Sequence, residues 1–470
     1  MLISQFLSLL TIRRTTSGVV IRSIAQSSSV PHQFGNGRPP AETRIRHPIS
    51  SWIERLKTMT ICFTPTAEQV ELKNQARAFA QTYLAPLVEE VRRTADPYEA
   101  ALLVRSAHEA ALKEGIIKGM IPEVFGGTMG SGLDLALVTE ELAAVMPDFV
   151  ASLGGILLAL TPVYLGGDLE QIQRFLTPFL ADHGTAQAVM ALSEPAGTAN
   201  FAAPEPAEGL QTVAVLDGDD WVITGEKQWS ANLAGWDGTG PDLMIVACGT
   251  PGGVSLIGIE RQHFTSDNLT LLETLDMPGL RGHLTQRVRL NGVRVPKANL
   301  VGAEGAGPEL IFAAFTGSAA AVGLMAVGTM RAAFDIAYRF ATEQTRGGGV
   351  PIIEHRPVAD VLTDAKGRIE AVRLLSWKAL DAVTSGDPAG LELALHAKVF
   401  GSETAVDVVH KLFQVVGVQA YNRGFPIVHH LLDALAYPVF EGGNIGVRRR
   451  QLQDIFTTAG WDPLAASGLS

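Results

Sequence analysis

The segment Tyr437-Pro438-Val439-Phe440-Glu441-Gly442-Gly443-Asn444 sets one carboxylate after an aromatic, apolar run and directly before two glycines. A basic cluster begins at Arg448. A carboxylate in apolar surroundings is desolvated, which moves it toward the range where it can take a proton from carbon. The glycines let backbone approach a flat ligand closely, and Arg448 can hold negative charge nearby. Glu441 and Arg448 are therefore the candidate catalytic residues.

Three other motifs could serve such a centre. Leu192-Ser193-Glu194-Pro195-Ala196-Gly197-Thr198-Ala199-Asn200 is a polar, Pro/Gly-rich turn whose backbone N–H groups could face an anionic or heteroaromatic ligand. Gly225-Glu226-Lys227-Gln228-Trp229-Ser230-Ala231-Asn232 ends a predicted strand with an indole able to stack on a ring. Thr345-Arg346-Gly347-Gly348-Gly349 is a lone arginine beside a flexible triglycine, suited to a pyrophosphate. Each alone is an ordinary surface loop; their order along the chain is the stronger signal.

The elements that must position these motifs fall into three predicted regions. Residues 59–185 read as a helical domain; Asp134-Leu-Ala-Leu-Val-Thr-Glu-Glu-Leu carries apolar positions at helical spacing. The Gly126–Gly132 stretch lacks the strand and lysine of a phosphate loop and reads as a turn. Residues 186–300 break into short β-type runs without intervening helices, which predicts an antiparallel barrel or sandwich. Asn291-Gly292, inside Arg287–Val295, is a hairpin-turn candidate. Residues 301–470 return to helix. Leu395, Val399, Ser402, Val406, Val409, Phe413 and Val416 form a stripe that faces a neighbouring helix, and Gly417 can cap its end.

Composition excludes several classes. At 470 residues, 47% hydrophobic and 18% charged, the chain is that of a globular enzyme with ample core. A net charge of −11 argues against nucleic acid as a partner. Cys62 and Cys248 give neither metal spacing nor a disulfide framework. The apolar run from Leu153 to Gly167 is short for a bilayer and is expected to break at Pro162. Residues 1–58 hold eight Lys/Arg against two acids and nine serines, which is either a mitochondrial transit peptide or a disordered extension. Met59-Thr60-Ile61 is a natural opening for the first helical domain, and without the extension the chain would be cytoplasmic or peroxisomal.

Residues 60–455 resemble the acyl-CoA dehydrogenase superfamily of flavoenzymes, with its N-terminal helical domain, central β domain and C-terminal four-helix bundle. The resemblance implies FAD as cofactor, a small-molecule substrate and a homotetramer. It assigns flavin contacts to Leu192, Ser193, Thr198, Trp229, Ser230, Ala231, Gly443 and Asn444. Arg346, together with Gln414-Val415-Val416-Gly417 of a neighbouring subunit, would hold the dinucleotide. Phe440-Glu441-Gly442 with Arg448 matches the family's base motif, and Thr285, Tyr437 and Phe440 fall where the substrate pocket is expected.

Ser-Glu-Pro-x-Gly-Thr-Ala-Asn, Thr-Arg-Gly-Gly and Gly-Gly-Asn-Ile-Gly-x-Arg-Arg-Arg-Gln resemble most the nitroalkane oxidase branch. Three positions depart from it. The branch's base is an aspartate, whereas Glu441 is the residue type of the dehydrogenases. The hydroxyl that supports the base is expected near His283-Leu284-Thr285, where only Thr285 offers one. The hydroxyl that commonly faces the flavin is replaced by Ala231. Against an ordinary CoA ester, the arginine that usually meets CoA is missing from Phe315-Thr316-Gly317-Ser318-Ala319. The base favours dehydrogenation of an acyl thioester, the nitroalkane oxidation reading rests on the surrounding wording, and a flavin-binding protein without turnover stands as a third possibility.

Overall fold

The computed structural model describes residues 64–203 and 209–468; the basic extension of residues 1–58, Met59-Thr60-Ile61 and Cys62 lie outside them. The chain divides into two units, Met1–Val70 and Glu71–Ser470, and the second holds every residue of the candidate site.

Among the described residues seven α-helices come first: α1 (Ala67–Phe79), α2 (Val88–Arg93), α3 (Pro97–Leu102), α4 (Arg105–Lys113), α5 (Gly132–Ala143), α6 (Pro147–Gly166) and α7 (Leu169–Leu180). Their starts follow capping chemistry. Thr66 and Gln69 exchange side-chain and backbone hydrogen bonds at α1, and Ser131–Asp134 and Asp168–Gln171 do the same at α5 and α7. The Gly126–Gly132 stretch thus ends as a turn and a helix cap.

α6 corrects the expectation of a break at Pro162. The helix runs through it for 20 residues, although proline leaves the Leu158 carbonyl without its N–H partner. Leu160, Pro162 and Val163 are buried, so packing supports the turn that propensity disfavours. By length and apolarity this helix and Gly307–Glu343 could cross a membrane, yet 56% and 67% of their apolar windows are buried inside the protein. Both are core helices of this fold.

Eight strands follow: β1 (Ala188–Ala191), β2 (Val213–Asp217), β3 (Asp220–Ala231), β4 (Leu243–Thr250), β5 (Gly253–Glu260), β6 (Leu269–Thr274), β7 (Thr285–Pro296) and β8 (Leu300–Val301). Their order is β6-β7-β3-β2-β4-β5-β8, with β1 on β4. Pairing is mixed rather than purely antiparallel, because β1 runs parallel to β4 and β2 meets β4 in parallel at Val213–Gly249. The β2–β3 hairpin lies between β1 and β4 in sequence and supplies the long excursion that a parallel return requires. Trp221, Ile223, Met244, Val246, Val288 and Leu290 from both halves share one interior.

Asn291-Gly292 is not a hairpin turn. β7 continues through it, and the pairing with β3 shifts between Ile223 and Thr224, so Gly292 (φ +62°) is the extra residue of a bulge. The same two strands carry a second shift between Gln228 and Ala231, where Trp229 and Ser230 oppose Gln286 alone. That irregularity lies in a cofactor motif.

The last layer is α8 (Gly307–Glu343), α9 (Arg356–Ser385), α10 (Gly390–Val416) and α11 (Ile427–Ala436), followed by short α12 (Arg449–Phe456). The predicted stripe is α10: Leu395, Ser402, Val409 and Val416 are buried, and Gly417 (φ +76°) ends the helix.

Candidate active site

A cavity of about 1090 Å³ is bounded by α6, the ends of β1 and β3, the Met277–His283 loop, α8, α11 and the Glu441 turn. On its β side lie Leu192, Ser193 and Thr198 from one loop and Trp229, Ser230 and Ala231 from the β3 bulge. The bulge holds Trp229 at φ +72°, and its indole is 52% exposed although it lines a cavity. A large aromatic face exposed inside a cavity can serve as a stacking platform for a flat ring. The Ala231 methyl lies 3.7 Å from where a Cβ on Gly155 would stand. These features fit the flat ring of the FAD that the resemblance implies.

The loop between β1 and β2 is fixed from below. Glu194 accepts from the Gln211 and Thr212 amides at 2.7 and 3.0 Å and from Lys227 Nζ at 2.8 Å. Lys227, fully buried, also donates to the Leu192 and Ala247 carbonyls at 3.1 and 2.7 Å. Burial opposes the charge on Glu194, but the ammonium and these donors outweigh it and hold its pKa below the ordinary value. Breaking such a buried pair costs about 3–5 kcal/mol. The Ser-Glu-Pro glutamate is therefore an anchor for the loop.

Glu441 sits opposite, at φ +51°, followed by Gly442 at φ +69°. A left-handed glutamate persists only where its surroundings over-determine it. Here Arg448 does so. Its guanidinium, 1% exposed, donates to the Glu441 carbonyl through Nε and Nη2 at 2.9 and 2.7 Å and to the Phe315 carbonyl at 3.2 Å. A Cβ on Gly442 would stand 2.9 Å from Arg448 Nε, so only glycine admits the guanidinium there. Burial pushes the Arg448 pKa down to about 10, with Glu441 opposing, and the group stays cationic at neutral pH.

The Glu441 carboxylate is half-buried and accepts a 2.6 Å hydrogen bond at Oε2 from Ser318 Oγ. Sequence reasoning missed this residue. Ser318 lies on α8, in the segment singled out only for lacking an arginine. Thr285 does line the cavity, but its hydroxyl meets His283 Nδ1 at 3.2 Å, so it is not the hydroxyl that supports the base.

Two further expectations are corrected. Tyr437 does not line the cavity; it is fully buried and bonds Thr329 Oγ1 at 2.6 Å, so only Phe440 and Thr285 of the three pocket candidates border it. Asn444 is buried behind the turn and bonds Ser402, Glu403 and Lys398, whereas Gly443 does reach the cavity. Arg346, Gln414 and Gly417 are also outside the lining. Arg346 (φ +52°) sits over the Phe340 ring and donates to the Val416 carbonyl, beside Gly417 of its own chain.

The Met277–His283 loop is clamped by two buried carboxyls. Asp433 Oδ1 accepts from Leu280 N at 2.9 Å and Asp148 Oδ2 from Gly282 N at 2.7 Å. Burial, then the neighbouring Asp148, pushes the Asp433 pKa up to about 7. A raised folded-state pKa stabilises below the unfolded value, ordinarily 3.8, and that contribution is lost as pH rises through about 7. Asp433→Asn keeps an acceptor for Leu280 and removes the titration. Urea midpoints should therefore fall less between pH 5 and pH 8 in the variant than in the wild type; equal slopes would refute the assignment.

Comparison with known proteins agrees with this architecture. Residues 66–183 match the acyl-CoA dehydrogenase N-terminal domain and residues 305–455 the acyl-CoA dehydrogenase C-terminal domain. Nitroalkane oxidase of Podospora anserina is 38% identical over 86% of this chain and 98% of its own length. That of Fusarium oxysporum is 36% identical over 86% and 97%. A solved nitroalkane oxidase with an active-site serine replaced by alanine, crystallised with 1-nitrohexane, superposes with a TM-score of 0.83 at 34% identity, over 87% of this chain and all of its own. The chain belongs to the acyl-CoA dehydrogenase family of FAD-dependent oxidoreductases.

Proposed function

We propose that this chain oxidises small nitroalkanes to aldehydes or ketones and nitrite, with Glu441 taking the α-proton. The observation that carries this is the 2.6 Å hydrogen bond from Ser318 Oγ to Glu441 Oε2. That bond fixes the direction in which the Glu441 carboxylate faces the cavity it lines. A C–H beside a nitro group, whose conjugate base spreads charge over two oxygens, is more acidic than one beside a thioester and is within reach of a carboxylate so positioned. The relatives point the same way, including one described by its active-site serine.

The charge of the cavity adds support. Its lining carries Arg448 and Arg450 against Glu194, Glu441 and Asp454. Arg448 is spent on the Glu441 carbonyl, and Arg450 on Asn200 and the Ala199 carbonyl. With two arginines against three carboxylates, these lining residues offer a phosphate-rich CoA handle no net positive charge, while a small neutral nitroalkane needs none.

In this reading Arg448 and Gly442 fix the backbone of the base, and Ser318 orients its carboxylate. The apolar wall of Phe315, Phe440, Leu432 and Leu435 keeps water from the carbanion. FAD, when bound, would supply the acceptor for the electron pair that the departing proton leaves on carbon. Arg346 and Gln414 are exposed, as are Val418 and Tyr421 at 85% and 83%, and Arg346 together with Gln414–Gly417 of a neighbouring subunit would hold the dinucleotide in a homotetramer. Delivery to mitochondria through residues 1–58 is a proposal resting on their basic, serine-rich composition.

A second reading, dehydrogenation of an acyl thioester, is favoured by the glutamate at 441. Anaerobic mixing of the FAD-loaded protein with nitroethane or 1-nitrobutane, and with a panel of acyl-CoAs, separates the two. Flavin bleaching by the nitroalkanes alone is expected. Bleaching by an acyl-CoA alone would overturn the nitroalkane reading.

A further inference from the structure

Lys398 is fully buried in α10, one layer behind the base, and nothing above gives it a part in the reaction. Its ammonium donates to the Tyr437 carbonyl and to Asn444 Oδ1, the latter at 3.1 Å. Those two acceptors lie four residues before and three after Glu441. Asn444 in turn donates to Ser402 Oγ and Glu403 Oε1, both at 3.0 Å, and the Lys398 Nζ stands 5.7 Å from the centre of the Phe440 ring. A single cation therefore closes the turn that holds Glu441 in a left-handed backbone.

We propose that Lys398 is a positioning residue for proton abstraction: it clamps both ends of the 437–444 turn and sets where the Glu441 carboxylate stands against the substrate. The inference rests on Glu441 being the base, and goes beyond it by assigning the base's placement to a side chain outside the cavity lining.

The electrostatics give the clamp a charge dependence. Burial, then Arg448, pushes the Lys398 pKa down to about 7, against the pull of Glu441 and Glu403. The other groups around it are the Tyr437 phenol, engaged by Thr329, and Arg449, paired with Glu403. Loss of the Lys398 charge as pH rises through about 7 weakens its hold on both acceptors, the Tyr437 carbonyl and Asn444 Oδ1.

Lys398→Met removes the cation while keeping an unbranched side chain of similar length. With FAD bound to the same stoichiometry, the rate of anaerobic flavin reduction should fall at least tenfold, the KM should move less than threefold, and the wild-type inflection near pH 7 should vanish from the rate profile. Asn444→Ala, which opens one end of the clamp, should give a smaller loss of the same kind and serves where the Met variant does not fold. Unchanged rates and pH profile, or a loss that merely tracks lost flavin, would overturn the proposal. The substrate reading fails separately, if no nitroalkane reduces the wild-type flavin. In that event the clamp is read without turnover, from the infrared carboxylate band of Glu441 (wild type minus Glu441→Gln). That band should shift in Lys398→Met, and an unmoved band refutes the clamp.

Discussion

Glu441→Gln should bind FAD as the wild type does and slow the reductive half-reaction by at least about 10²-fold. The amide keeps the side chain's length and still offers Ser318 an oxygen acceptor, and the bonds from Arg448 to the residue 441 carbonyl are backbone bonds that the change leaves alone. The turn should survive and only the base be lost. Because the loss falls on the chemical step, the limiting rate of flavin bleaching should drop while half-saturation by substrate stays within a few-fold. Stopped-flow absorbance under anaerobic conditions reads both. Bleaching at the wild-type rate would mean that another group takes the proton, and the reading of the Glu441 segment would fall with it.

Much of this architecture is legible before folding because it is written in local chemistry. Helical spacing gives α5 and α10, the change of texture near residue 186 gives the β region, and the positions of Glu441, Arg448, Trp229 and the Ser193 loop follow from turn and strand-end motifs. What escapes is contact across long separations. Ser318 meets Glu441 over 123 residues, and nothing around it marks a serine near the start of a 37-residue apolar helix as different from any other. The resemblance puts Tyr437 at the pocket, but its hydroxyl bonds Thr329 and the residue is fully buried. The Asn291-Gly292 pair carries a hairpin signal, and the continuous pairing of β7 with β3 and β6 overrides it. Pro162 shows the same rule in a helix: burial on α6 outweighs a local breaker.

Glu441→Asp should cut proton abstraction by about a hundredfold, although the nitroalkane oxidase branch that this chain resembles uses an aspartate. The shorter side chain withdraws the carboxylate by roughly one methylene, and a displacement of order 1 Å can cost about 10²-fold in a positioned reaction. Backbone movement cannot restore the reach cheaply, since Arg448 holds the 441 carbonyl and Gly442 is packed against the guanidinium. Ser318 sharpens the argument. In the wild type its hydroxyl is 2.6 Å from Oε2, so Ser318→Ala alone should slow the reaction about tenfold, in keeping with the worth of a hydrogen bond to a charged group. In Glu441→Asp the carboxylate has already left that hydroxyl, and adding Ser318→Ala should cost little more. The two losses should therefore fail to add, with most of the serine's effect absent from the double variant. Full additivity would show that Ser318 acts on something other than the base, and an unimpaired Glu441→Asp would show that the turn yields to whichever acid it carries.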